Sequence, residues 1–231
     1  MVGHSDVGAA VFGEKIYRDG VDNMIIRQMQ VGNMAVFAYL VGDPESGDGL
    51  VIDPAANVAG ILKEAERENL KIRYIVNTHA HPDHTAGNAE MKERTGAPIV
   101  IHEGDAIRLV SIPSPILRMF DARPSPPADL TVQNGSELKL GEKACTVIHT
   151  PGHTPGGLCL YIDGAVFTGD TLFVEAVGRT DLPGGSWDVL ACAIREKLFS
   201  LPDSTVVYPG HNYGSTPSST IGHEKRYNPC A

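Results

Sequence analysis

The stretch NTHAHPDHTAGN, residues 77–88, sets three histidines and an aspartate into the six positions from His79 to His84. His79 and His81 are separated by one residue, so in extended backbone both rings point to the same side. Pro82 biases the residues before it toward extended geometry and favours a helix start after it. Asp83 and His84 therefore leave the turn as a second pair. An ion such as zinc takes about four ligands of this kind, and a single turn cannot surround it, so the remaining donors must come from distant segments.

Three later loops carry suitable donors, each directly after a strand-like run and each beside a glycine that lets backbone crowd a site. HTPGHTPGG (149–157) offers His153, FTGDTLF (167–173) offers Asp170 and YPGHNYG (208–214) offers His211. With His79, His81, Asp83 and His84 these make seven candidate ligands. Seven suffice for two ions that share one carboxylate.

The surrounding pattern predicts strands over 24–31, 34–42 and 49–54 as an antiparallel meander, then a helix over 57–70 and a buried strand over 72–78. A helix over 85–96 and a strand over 97–102 follow, giving a βαβα run. Residues 111–129, SIPSPILRMFDARPSPPAD, form a Pro-rich loop that reads equally as a lid or as a solvated connection. Strands are expected over 130–140, with Asn134-Gly135 as a hairpin signal, and over 143–150, 157–164, 165–170 and 204–210. Helices are expected over 186–201 and, capped by Ser or Thr, over 218–229. Two β-rich halves with outer helices predict an α+β four-layer αββα sandwich, a single domain over 1–231 with an N-terminal extension over 1–22.

Composition narrows the partners. With 231 residues, 42% of them hydrophobic, the chain has material for one sizeable core. The formal charge of −9 leaves no basic stripe for nucleic acid. No apolar run approaches the roughly 20 residues of a membrane span, so no membrane partner and a cytoplasmic location are expected. Cys145, Cys159, Cys192 and Cys230 are far apart without a C-x-x-C pair and are expected as reduced thiols.

T-H-x-H-x-D-H followed by G-H, G-D and G-H resembles the metallo-β-lactamase superfamily over roughly residues 24–229. The resemblance implies that His79, His81 and His153 hold a first metal, that Asp83, His84 and His211 hold a second, and that Asp170 bridges them. TPGHTPGG, TGDTLF, GRTDLPGG and STIGHEKRYNP look like the glyoxalase II branch (hydroxyacylglutathione hydrolase-like) and less like the antibiotic-hydrolysing lactamases. That branch implies a metal-dependent thioesterase with two divalent ions, zinc as first choice and iron or manganese as alternatives. Its ions would hold hydroxide near neutral pH for attack on a thioester such as S-lactoylglutathione, with Asp83 and Asp170 as the catalytic carboxylates.

Two departures open an alternative. Glyoxalase II enzymes carry a C-terminal helical domain that grips glutathione, whereas twenty residues follow His211 here. GRTD at 178–181 is also similar to the persulfide dioxygenase branch, where a single iron is held at the positions of His79, His153 and Asp170, a two-histidine, one-carboxylate face. A superfamily phosphodiesterase or nuclease and a non-catalytic metal-binding scaffold are further readings. A small-molecule substrate, a thiol ester by the main reading, is the expected partner; a dimer is one option for assembly.

Among the smaller features, Arg179 is a candidate receiver for a substrate carboxylate or an ion-pair partner of Asp181. Tyr213 lines the substrate site or merely packs. Asp53 either accepts a hydrogen bond from a ligand imidazole or caps a turn. His4, His102, His149 and His223 are expected not to be ligands. Cys145 and Cys159 either face each other across neighbouring strands or sit as core thiols.

Overall fold

The computed structural model describes residues 24–120 and 122–231, together with the backbone of Val11 and Phe12. The rest of the predicted N-terminal extension, His4 included, lies outside the described residues. The first sheet orders its seven strands as they occur in the chain: β1 (Val11–Phe12), β2 (Ile25–Val31), β3 (Val36–Asp43), β4 (Asp48–Ile52), β5 (Lys71–Val76), β6 (Ile99–His102) and β7 (Leu130–Val132). The early meander is antiparallel, and β4 to β7 run parallel. Parallel neighbours need crossovers, supplied by α1 (Val58–Arg67), α2 (Pro82–Thr85), α3 (Asn88–Thr95), α4 (Glu103–Val110) and α5 (Ser114–Met119).

The second sheet contains β8 (Glu137–Leu140), β9 (Lys143–His149), β10 (Leu158–Ile162), β11 (Ala165–Gly169), β14 (Val206–Pro209) and β15 (Ser219–Thr220), in the order β15-β14-β11-β10-β9-β8. A small ribbon of β12 (Leu172–Phe173) and β13 (Ala176–Val177) follows β11. α6 (Trp187–Ala193), continued by a π-helical turn over Ile194–Leu198, and α7 (Ile221–Tyr227) cover this side.

Burial gives the layers. β3 is buried at all eight positions, as a strand covered on both faces must be. Its Phe37, Tyr39 and Val41 meet Leu160 and Phe167 of the other sheet in the inner core. Its Val36, Ala38 and Leu40 face Ile61, Met91 and Leu109 of the helices outside the first sheet. Outside the second sheet, Cys159, Val166 and Val207 pack on Leu190, Ile194 and Leu198. These are the four layers of an αββα sandwich.

Several boundaries differ from the sequence pattern. Asn134-Gly135 is not a hairpin turn: β7 pairs with β6 in the first sheet and β8 with β9 in the second, so this turn carries the chain between sheets. Locally the turn chemistry is that of a hairpin; the partners of the two strands are set by distant apolar faces. The helix expected over 85–96 is two pieces, α2 and α3, because the chain turns at Ala86–Gly87. Helix α4 had no counterpart in the pattern. The Pro-rich loop contains α5, with Pro113 before its first turn. Thr220 caps α7 by accepting from His223 N–H, as the sequence predicts. All four cysteines are unpaired, and Cys145 and Cys159 lie in different cores rather than facing each other. Among the described residues, no helix is long and apolar enough to cross a membrane.

Candidate metal centre

Each candidate donor follows a strand: His79 and its neighbours leave β5, His153 lies beyond β9, Asp170 follows β11 and His211 follows β14. The adjacent ends of the two sheets bring these loops together, and all seven residues meet in one site. His79, His81 and His153 form one group of donors within 4.8 Å of one another, and Asp83, His84 and His211 form a second. Asp170 lies between them. Its Oδ2 is 3.5 Å from His153 Nε2 and 3.4 Å from His211 Nε2, and its Oδ1 is 3.3 Å from His84 Nε2.

Four imidazoles are aimed by what their Nδ1 atoms meet. His84 Nδ1–H donates to Asp53 Oδ2 at 2.9 Å, His153 Nδ1–H to the Arg179 carbonyl at 2.7 Å and His211 Nδ1–H to the Met34 carbonyl at 2.8 Å. Thr78 Oγ1 donates to Asp53 Oδ2 and so accepts from His79 Nδ1–H at 3.0 Å. These assignments follow from the acceptors, and each turns Nε2 inward, where the neutral ring offers a lone pair.

The inward atoms crowd on one another. His84 Nε2 and His211 Nε2 stand 3.1 Å apart, and His153 Nε2 is 2.9 Å from His81 Nδ1. Two bare lone pairs at such a distance repel unless a proton or metal ion lies between them. His79 Nε2 and Asp170 Oδ1 are buried with no hydrogen-bond partner among the described residues; the 3.3 Å approach of Oδ1 to His84 lacks hydrogen-bond geometry. An orphaned buried polar atom costs about 1–3 kcal/mol.

The spacing fits ions. Tetrahedral ligands at about 2.0–2.1 Å from a metal stand roughly 3.3–3.4 Å from each other. The second group and Asp170 show 3.1 Å (His84–His211), 3.3 Å (His84–Asp170), 3.4 Å (His211–Asp170), 3.5 Å (His211–Asp83) and 3.7 Å (His84–Asp83). Donor chemistry, orphaned atoms and spacing agree that these residues could hold two metal ions.

Without an ion, the site's charges divide unevenly. Burial drives His79 well below its ordinary pKa, helped by neighbouring imidazoles. Burial, His153 and His84 lower His81 to about 4. His84 moves the other way: burial opposes its protonation, but Asp170, Asp83 and Asp53 together outweigh it and raise its pKa well above the ordinary value. For Asp170 burial opposes ionisation, yet His84 and His211 hold its carboxyl well below the usual range.

Asp53 takes the supporting position. Its carboxylate accepts from Thr78 N–H at 2.8 Å as well as from Thr78 Oγ1 and His84, tying both ends of the His79–His84 turn. Asp105, absent from the sequence-level candidates, has a related position. Fully buried in the first turn of α4, it accepts from Ala80 N–H at 3.0 Å and Gly156 N–H at 2.9 Å, joining the His79–His81 loop to the His153 loop. An aspartate in a helix's first turn is so common that EGDA carries no visible signal for this. At Gly178 a Cβ would overlap the Asp170 carbonyl, and only glycine permits the approach.

Of the two candidate substrate residues, Arg179 places its exposed guanidinium on Asp181, with both contacts at 2.7 Å. Its backbone carbonyl, not its charge, touches the centre. Tyr213 stacks on His211 with centroids 4.4 Å apart and donates to the Met34 carbonyl. His102 and His149 stack on each other and His223 pairs with Glu175, all outside the donor groups. A cleft of about 480 Å³ opens beside Asp83, between the β2–β3 turn, the start of α1 and the end of α5. Met119 and Phe120 of the Pro-rich region form part of its wall.

Comparison with known proteins agrees with this geometry. The metallo-beta-lactamase superfamily profile matches residues 31–211, and the chain belongs to that superfamily. It is 32% identical to human mitochondrial persulfide dioxygenase ETHE1 over 212 residues, covering 89% of this chain and 75% of the human protein. A solved structure of TTHA1623 in a di-iron-bound form superposes with TM-score 0.76 and 32% identity, over 87% of this chain and 98% of that one. The BLEG-1 B3 metallo-beta-lactamase structure gives TM-score 0.78 and 31% identity, over 89% and 98%.

Proposed function

We propose that this chain is an iron-dependent enzyme that oxidises the persulfide of a small thiol. The observation that carries the reading is its 32% identity to a persulfide dioxygenase, joined to donors of the matching kind: His79, His153 and Asp170 form a two-histidine, one-carboxylate face that suits non-haem iron. The likeness to a di-iron protein favours iron over the zinc expected from donor chemistry. These comparisons support the dioxygenase alternative better than the glyoxalase II-like hydrolysis that led the sequence analysis.

Iron(II), when bound, supplies the electron transfer by which O2 and water convert R-S-SH to R-SH and sulfite. The chain's own part is orientation and exclusion. Thr78 and the Arg179 carbonyl hold His79 and His153 in the tautomer that offers Nε2. Burial of His79, His84, His153 and His211 keeps bulk water from the donors. Asp83, half-buried, is the donor carboxylate that lines the cleft.

A second reading, hydrolysis of a thioester, draws on the complete quartet of Asp83, His84, His211 and Asp170, which is spaced for a second ion. Likeness to a metallo-β-lactamase supports acyl-bond hydrolysis in the same way. In that reading two metal ions held by these residues would supply a water ionised near neutral pH.

One experiment separates the two. The purified protein is loaded anaerobically with iron(II), or separately with zinc(II), and offered persulfides and S-lactoyl thioesters of several small thiols. Oxygen uptake matched one-to-one by sulfite, and absent from Asp170→Ala, is the expected result. Thioester hydrolysis without oxygen uptake transfers the conclusion to the hydrolase.

A further inference from the structure

The cleft beside Asp83 has walls of unusual charge for a site that meets glutathione derivatives. Glutathione carries two carboxylates against one ammonium, a net charge of −1, and a pocket built for it needs cations within reach of the carboxylates, because a carboxylate desolvated without a partner is strongly penalised. Among the described residues that line this cleft there is no lysine, arginine or histidine. Its apolar wall includes Met34, Val58, Met119 and Phe120, and among the described residues its charged members are Asp83 and Glu90. Two amides complete it, those of Asn33 and Asn57; Asn57 spends Oδ1 on Gly60 N–H, which leaves its amide NH2 as a donor.

Three of the nearby arginines are paired with carboxylates, one of which, Glu90, lines the cleft itself. Arg94 pairs with Glu90 at 3.0 Å and Arg123 with Glu93 at 2.9 Å. Arg179, the carboxylate receiver considered from sequence, is paired to Asp181. Arg118 precedes Met119 in α5 but is not part of the lining.

We propose that the cleft selects small thiol derivatives whose non-reacting arm is uncharged, bound by apolar contact and amide hydrogen bonds, and discriminates against glutathione. This rests on the reading of the site as one for thiol derivatives, and the test keeps the two apart. Binding of S-methyl compounds, which cannot be turned over as persulfides or thioesters, is measured by titration calorimetry with the metal-loaded protein. The pair compared is S-methylglutathione and S-methyl-N-acetylcysteamine, the second a neutral amide.

The neutral compound is expected to bind at least about tenfold more tightly, because carboxylates that enter the cleft lose water without gaining a cation. Asn33→Arg, at an exposed turn position, is expected to narrow that ratio by improving glutathione binding. Equal affinity in the wild-type protein, or an unchanged ratio in the variant, overturns the proposal. Oxygen uptake with N-acetylcysteamine persulfide and glutathione persulfide tests the dioxygenase reading separately: if neither is oxidised that reading falls, while the binding ratio still decides the selectivity.

Discussion

His84 is where charge and coordination compete most directly. Its raised pKa in the metal-free protein, the result of Asp170, Asp83 and Asp53 outweighing burial, keeps it protonated near neutral pH. An ion bound through Asp83, His84 and His211 must displace that proton, so affinity there rises with pH, by up to about tenfold per unit below the His84 pKa. His79 and His81 carry lowered values and are neutral at the same pH, so they add no proton to the exchange. Titration calorimetry in buffers of different ionisation enthalpy should show about one proton released at the second position; none released refutes the assignment. Asp53 acts one step further out, orienting His84 and Thr78. Asp53→Asn is expected to weaken metal binding about 10- to 100-fold while leaving the circular-dichroism spectrum unchanged.

At the scale of elements, the site depends on loops held by groups that ligate nothing. Asp105 at the start of α4 needs both oxygens for Ala80 and Gly156. An asparagine offers one acceptor and turns an N–H2 toward the other donor, at a cost of roughly 1–3 kcal/mol. Asp105→Asn should therefore loosen the contact between the His79–His81 and His153 loops. Metal affinity should fall by about tenfold or more with the core intact, and a wild-type dissociation constant in the variant counts against the role. Far from the centre, Thr220 caps α7. Thr220→Ala should cost about 1 kcal/mol by denaturant titration and leave metal affinity unchanged. Elements such as α7 were legible because cap and apolar face lie within one turn of sequence. Helix α4 was not, since its start is marked by His102 accepting from Gly104 N–H, a cap that histidine seldom provides.

For the whole molecule, metal binding and folding are linked because the donors come from four loops on two sheets. A metal at 100 times its dissociation constant adds about 2.7 kcal/mol, which in a chain of this size raises the melting temperature by several degrees, at about 2–4 °C per kcal/mol. Chelation should remove that increment from the wild-type protein. It should change Asp170→Ala little, and an equal drop in both would show that the stabilising ion sits elsewhere. By itself the sequence marked out the seven candidate donors and the αββα layering. Donor chemistry is a property of each residue, and burial on one or both faces is written in local periodicity. Only the tertiary structure decided that Asn134-Gly135 crosses between sheets, that Arg179 serves through its carbonyl, and that Asp105 joins two ligand loops. Each of those depends on a partner between 25 and 51 residues away or on a distant sheet face, and local pattern cannot specify contacts that exist only once the two sheets have packed.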